Sequence, residues 1–264
     1  MFRRGLLWLA VVLLLLLCFM AAAVSEGEPV LYATSGTDYT VEGSDAVRPE
    51  AIRWWYSEEE RAYYLCMPSH ANAVRLWLTG AEDAVIDGKP FVNGMDATYL
   101  LEGKAAVLAI GKRNYTVMAM RSAGVPSLFM TTESGSLDYI HYRKGNEETG
   151  TLHMLDSVGN TLYDGGLAHI KGRGNATFAL NKKPYQIKLD EGTDLCGMGK
   201  AKTWILLADF RDNSLIRNKV AFDLSRAAGI DFASLSQTVD LYVNNDYLGA
   251  YLLCEKVEIG DTRV

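Results

Sequence analysis

From Glu28 to about Arg121 the chain is broken by turn residues every eight to twelve positions, a spacing that leaves room for short strands and little else. Val74, Leu76 and Leu78 alternate with Arg75, Trp77 and Thr79, the period of a strand with one buried face. Asp87-Gly88 stands between Ala84-Val85-Ile86 and Lys89-Pro90-Phe91-Val92, and Asn93-Gly94 follows; both are hairpin-turn signals. Tyr99 to Leu101, Ala105 to Ile110 and Tyr115 to Met120 continue the series of strands. The expectation for residues 28–122 is a small β-sandwich of immunoglobulin type. Trp54, Trp55, Tyr56, Tyr63 and Tyr64 could stack on sugars in a carbohydrate or cell-wall contact, or could fill the core. Glu58-Glu59-Glu60-Arg61 reads as a solvated turn.

Ser122-Ala123-Gly124-Val125-Pro126 reads as a joint. Beyond it, Ser127 to Thr132 is a strand, Glu147 to Gly150 a turn, and Thr151 to Met154 and Thr161 to Tyr163 short strands. Leu167 to Lys171 and Tyr185 to Leu189 are strands on either side of a basic glycine turn. One helix is expected over Leu215 to Ala228, capped by Asp212, Asn213 or Ser214 and stopped by Gly229. Ile216, Val220, Leu224 and Ala227 form its apolar stripe. A hairpin over Thr238 to Val257, turning at Asn244-Asn245-Asp246, closes the chain. Strands, a helix and a hairpin make an α+β arrangement.

The start of the chain reads as an export signal over residues 1–23. Arg3 and Arg4 precede the apolar run from Leu6, and Ala21-Ala22-Ala23 offers a cleavage site. The run is also long enough for an uncleaved membrane anchor. Either way the remainder is expected to work outside the cytoplasm. Removing Arg3 and Arg4 takes the net charge from -6 to -8, against a general nucleic-acid binder. Cys66, Cys196 and Cys254 are too widely spaced for a disulfide scaffold or a zinc site and read as apolar fillers. His70, His141, His153 and His169 are scattered, with no metal spacing; His169 lies beside the basic turn.

That turn carries the chemistry. Between Lys171 and Lys202 there are seven Lys or Arg against three Asp or Glu, in a chain that is otherwise acidic. A cationic glycine turn suits an anion such as phosphate. Gly172-Arg173-Gly174-Asn175 is neither G-x-G-x-x-G nor a Walker loop, so by form alone it is equally a surface β-turn. Glycine turn, strand lysine, helix, hairpin is nevertheless the order of a protein-kinase small lobe.

Three segments carry a family resemblance: IKGRGNATF with KKPYQIKLD, then GMGKAKTWILLADFRDNSLIRNKVAFDLS, then VDLYVNNDYLGAYLLCEKVE. Together they resemble the spore-coat protein H (CotH) kinase family over roughly Val125 to Val264. VPSLFMTTESG resembles the strand that opens that family's domain. The resemblance implies a kinase-like domain over 124–264, most of it an antiparallel small lobe with one main helix. It implies an atypical protein kinase that uses ATP and magnesium to phosphorylate serines of a surface or spore-coat protein. By position, Gly172, Arg173, Gly174 and Asn175 would line the phosphates, and Lys188 would be the strand lysine or a plain exposed one. Arg217 would reach a phosphate or face solvent. Glu255 would serve the nucleotide hinge or be an exposed strand-end carboxylate. No helix Glu is available to pair with Lys188, and Asp223 is read as a surface partner of Lys219 and Arg226. Catalytic and metal-binding acids are expected beyond Val264, so the chain reads as truncated and inactive alone. The alternative is a non-catalytic extracellular binding or structural module.

Overall fold

The computed structural model describes residues 29–35, 51–81 and 83–259. The expected export signal lies outside the described residues. Among them no helix is long and apolar enough to cross a membrane.

The first part forms two sheets. Strands β1 (Val30–Thr34), β2 (Ile52–Arg53), β3 (Trp55–Ser57), β4 (Ala62–Met67), β5 (Arg75–Thr79), β6 (Ala84–Ile86), β7 (Lys89–Pro90), β8 (Met95–Asp96), β9 (Ala105–Ile110) and β10 (Arg113–Arg121) pair in the orders β2-β1-β5-β8 and β3-β4-β10-β9-β6-β7. The alternation in β5 places Leu76 and Leu78 in the core, and Asp87 and Gly88 make the β6–β7 turn with positive φ at both positions. Tyr99 to Leu101 is a 3-10 turn (Thr98–Glu102) instead of the expected strand. Asp96 accepts from the Thr98 amide at 2.8 Å, a local side-chain bond that competes with sheet pairing. Most of the aromatic group packs inward: Trp54 and Tyr63 are buried, and Tyr56 and Tyr63 sit 5.0 Å apart at their ring centres.

The second part is a closed seven-stranded barrel. Its strands are β11 (Ser127–Thr132), β12 (Glu147–Leu155), β13 (Thr161–Gly172), β14 (Tyr185–Asp194), β15 (Lys200–Leu207), β16 (Ser236–Val243) and β17 (Asp246–Glu255). They run in the order β11-β12-β13-β14-β15-β17-β16, and a parallel β11–β16 pair closes the ring. Closure leaves no free edge. The lumen is filled by Leu128, Met130, Leu152, Met154, Ile187, Trp204 and Leu241, among others. The expected turn at Glu147 to Gly150 belongs to β12, because β13 continues to Gly172 and pairs with it.

Two helices accompany the barrel: α1 (Asp138–Tyr142) before β12, and α2 (Arg217–Ala227) between β15 and β16. Ile216, Val220 and Leu224 of the expected apolar stripe are exposed, and no residue of α2 is buried. The helix rests on the barrel by its other side, where Lys219, Phe222 and Ser225 are half-buried.

The two parts share a core. Phe129 of β11 and Tyr242 of β16 point out of the barrel, stack at 4.7 Å and join the apolar cluster of the two sheets. The β16–β17 turn docks beneath β2: Asn245 donates to the Ala51 carbonyl at 2.7 Å, and the Arg53 amide donates to the Asn245 carbonyl at 2.8 Å.

Candidate functional site

The glycine turn leaves β13 at Gly172 and re-enters the sheet at Tyr185. Gly174 has φ +88, a conformation that glycine adopts without strain. Between them the chain folds back through a 3-10 turn, Ala176–Ala179. A Cβ on Gly172 would overlap the Phe178 ring, and one on Gly174 would overlap the Thr177 hydroxyl. Phe178 therefore closes the turn against its own strand. The Arg173 amide donates to the Pro184 carbonyl at 3.0 Å, and Asn175 accepts from Lys144 at 2.6 Å.

The lysines that made this segment basic are largely engaged. Lys183 donates to the Phe178 and Leu180 carbonyls, each at 3.0 Å, and so ties down the 3-10 turn. Lys171 pairs with Glu147 at 3.1 Å. Lys182 is buried, donates to the Ala250 carbonyl and lies over the Tyr251 ring. Burial pushes its ammonium down to about 8, against the pull of Asp209 and Asp240.

Asp209 and Asp212 hold the approach to α2. Asp209, with φ +47, has its carboxyl pushed up by burial and accepts from Asn218 at 2.5 Å. Asp212 accepts from the Ser214 hydroxyl at 2.6 Å and from the Arg217 amide at 2.8 Å. Those bonds, the Ser214 one foremost, hold its carboxyl down at about 2. The N-cap position is Ile216, which makes no side-chain cap bond, in place of the expected Asp212, Asn213 or Ser214; Asp212 holds the Arg217 amide from five positions back, with Leu215 (φ +57) turning the chain between them. Arg217 Nε lies 3.3 Å from the same Asp212 and is otherwise exposed.

The remaining predicted residues lie elsewhere. Lys188 is exposed on the outer wall of β14, in register with His169 of β13 and Thr203 of β15. It has no hydrogen bond or ion pair among the described residues. Glu255 accepts from the Leu235 amide at 2.7 Å and ends β17 beside Trp204. The fold thus places Gly172 to Asn175 at one end of β13 and β14, Arg217 on the α2 approach, Lys188 on the outer wall and Glu255 at the far end of β17. A groove of about 400 Å³ crosses the outer face of β11 to β14, lined by Thr131, Glu133, Thr149, Thr151, Ala168 and Asp190. None of the predicted residues lines it.

The glycine turn, β14, β15, α2 and the closing hairpin fall within one stretch of recognisable sequence. Residues 170–263 match the CotH kinase protein family. The CotH match begins at Ile170, just before the glycine turn, and includes α2 and the β16–β17 hairpin. The chain has no match among curated proteins. Lys182, Asp209 and Asn218 form a constellation within the CotH segment that sequence reasoning passed over. Nothing in the spacing of Lys182, Asp209 and Asn218 marks them as neighbours.

Proposed function

We propose that the chain is the nucleotide-binding part of an exported CotH-like atypical protein kinase, acting with ATP and magnesium on serines of a surface or spore-coat protein. The observation that carries this reading is the CotH match over residues 170–263, laid on a glycine turn, strands, a helix and a hairpin in that order. In protein kinases the glycine loop covers the phosphates and a lysine two strands further on holds them. By that connectivity the strand after the turn is β14, which carries Lys188, and the next is β15, which carries Lys200 and Lys202. The residues present do not fit a magnesium site. Asp212 is engaged by Ser214 and Arg217, Asp209 by Asn218, and among the described residues no group of three His, Cys, Asp or Glu could hold a metal.

The test is a calorimetric titration of the full chain with ATP and magnesium. Saturable binding that weakens at least tenfold in Lys188→Ala or Lys202→Ala is expected; binding unchanged in both variants, or none, defeats the reading.

A second reading has its own support. Phe178 closes the glycine turn and Lys171 and Lys183 are committed within the fold, which suits a non-catalytic module that keeps the family's framework. In that case the partner is a carbohydrate or coat protein on the two-sheet part, where Trp55 and Tyr64 remain partly exposed with ring centres 5.6 Å apart. Polysaccharide binding lost in Trp55→Ala, with no response to ATP, would select it.

A further inference from the structure

We propose that the outer wall of the barrel around His169, Gln186 and Lys188 is a binding site for a phosphoryl dianion. The site shares Lys188 with the nucleotide reading but does not depend on it.

A bulge builds the site. On the β14 side Leu167 faces Leu189 and His169 faces Lys188, so Ala168 is an extra residue in β13; on the β12 side Ala168 and His169 together oppose Thr149 alone. Leu167 and Ile170, three positions apart, therefore both enter the lumen, and His169 turns outward beside Lys171 and Lys188. Bulges that re-aim one side chain cluster at functional sites. Ala168 and Thr149, the two sides of the bulge, also line the 400 Å³ groove.

The polar atoms converge on the imidazole. Gln186 Nε2 lies 3.3 Å from His169 Nε2, within reach for the amide to donate to the ring. Nδ1 faces Glu147 at 3.8 Å, and Glu147 is in turn held by Lys171. The groups that act on the ring are Lys171 from its own strand, Glu147 from β12, Lys188 from β14 and Lys256 beyond β17. Glu133 and Asp190 line the groove farther off. Burial first, then the lysines, keep His169 below its ordinary value. Glu258 answers Lys256 at 2.9 Å, while Glu147 pairs with Lys171 at 3.1 Å and also acts on Lys188 from beyond ion-pair distance, so two lysines share one carboxylate. A phosphoryl group supplies the missing negative charge. A dianion beside the ring favours the charged imidazole over the neutral one, so its arrival should raise the His169 pKa from its lowered value.

The experiment is a titration of the full chain with inorganic phosphate at constant ionic strength, balanced with chloride. It is read by the ring signals of 13C-labelled histidine, with His70, His141 and His153 as internal references for fold and pH. Saturable shifts at His169 alone are expected, together with a rise in its pKa and an affinity at least threefold weaker in Lys188→Ala. Shifts at His169 no larger than those of the other three histidines, or shifts unchanged in Lys188→Ala, overturn the proposal. A parallel titration with ATP separates the two ideas. If ATP binds while phosphate leaves His169 unmoved, this site falls and the nucleotide reading stands. If phosphate moves His169 and ATP neither binds nor competes, the reverse holds, and free phosphate rather than nucleotide phosphate is the source.

Discussion

The Lys182 ammonium lies 4.4 Å from the centre of the Tyr251 ring and donates to the Ala250 carbonyl of β17, just past the last residue of β17 that pairs with β15. A lysine thus finishes the barrel where a strand stops. The same charge feels Asp209 at the approach to α2 and Asp240 on the side facing the two sheets. One side chain, from the glycine-turn segment, sits where three parts of the fold meet.

Its titration should be visible in stability. With a folded value of about 8 against 10.5 for the free side chain, the unfolded chain binds the extra proton between those limits. Burial of the charged amine therefore weakens the fold fully below about pH 8, and the penalty fades as pH rises towards 10.5. Denaturant melts of wild type and Lys182→Met should diverge over that window, wild type gaining up to about 3 kcal/mol relative to the variant. A difference that stays flat with pH would contradict the placement of Lys182.

The closed glycine turn makes a second expectation. Gly172→Ala forces Phe178 off its seat and should cost about 1–3 kcal/mol as an overpacking change. In a Phe178→Leu background the same substitution should cost clearly less, a coupling that a double-mutant cycle measures. Gly174→Ala should cost about 1–2 kcal/mol in either background, because its φ of +88 strains any residue with a Cβ. Additive costs at Gly172 and Phe178 would mean that the ring does not close the turn.

Asp212 should act as the hinge pin of α2. Asp212→Ala removes acceptors for the Ser214 hydroxyl and the Arg217 amide, so amide exchange should quicken at Arg217 and Asn218 while the barrel amides stay protected. The carboxyl titrates at about 2 in the fold against an ordinary value near 3.8. Its support is present above about pH 4 and fades as pH falls towards 2, so wild type should approach the variant's exchange pattern only in strong acid. Equal exchange at neutral pH would show that the helix start does not rely on this residue.

The exposed face of α2 gives a contrast between pattern and packing. Leu224→Gln should change stability by no more than about 0.5 kcal/mol, or roughly 1–2 °C in Tm. Trp204→Ala, in the lumen, should cost about 3–5 kcal/mol. A loss of several degrees in the Leu224 variant would mean that the stripe is covered after all.

That contrast marks how far the sequence could be read. Local rules held where the cause is local: the Asp87-Gly88 turn, the Ser127 to Thr132 strand, the Asn244-Asn245 hairpin and the alternation in Leu76 and Leu78 are all set by neighbouring residues. Closure of the barrel was hidden because it depends on a parallel β11–β16 pair more than a hundred positions apart. The stripe on α2 was visible, but its direction is fixed by what the helix rests on, which no period reveals. At the site, the glycine turn was found from composition alone. Its closure by Phe178, and the outward turn of His169 at the Ala168 bulge, arise from strand register, which an apolar-polar alternation cannot encode once a residue is inserted.

The last expectation concerns the joint at Ser122 to Pro126, which does not separate two independent bodies. Tyr242 leaves the barrel to stack on Phe129 and donates to the Cys66 carbonyl at 3.1 Å, while Asn245 reaches the Ala51 carbonyl. Each of these ties a barrel strand into the core of the two sheets, so exposing one part strips apolar cover from the other. Unfolding should therefore be a single cooperative event, with Trp204 in the barrel and Trp54 in the sheets reporting the same midpoint. Tyr242→Ala, which empties the shared core, should lower that midpoint for both probes together, at a cost of about 3–5 kcal/mol. Two resolved transitions in wild type, separately reported by single-tryptophan variants, would show that the contact between the parts contributes little.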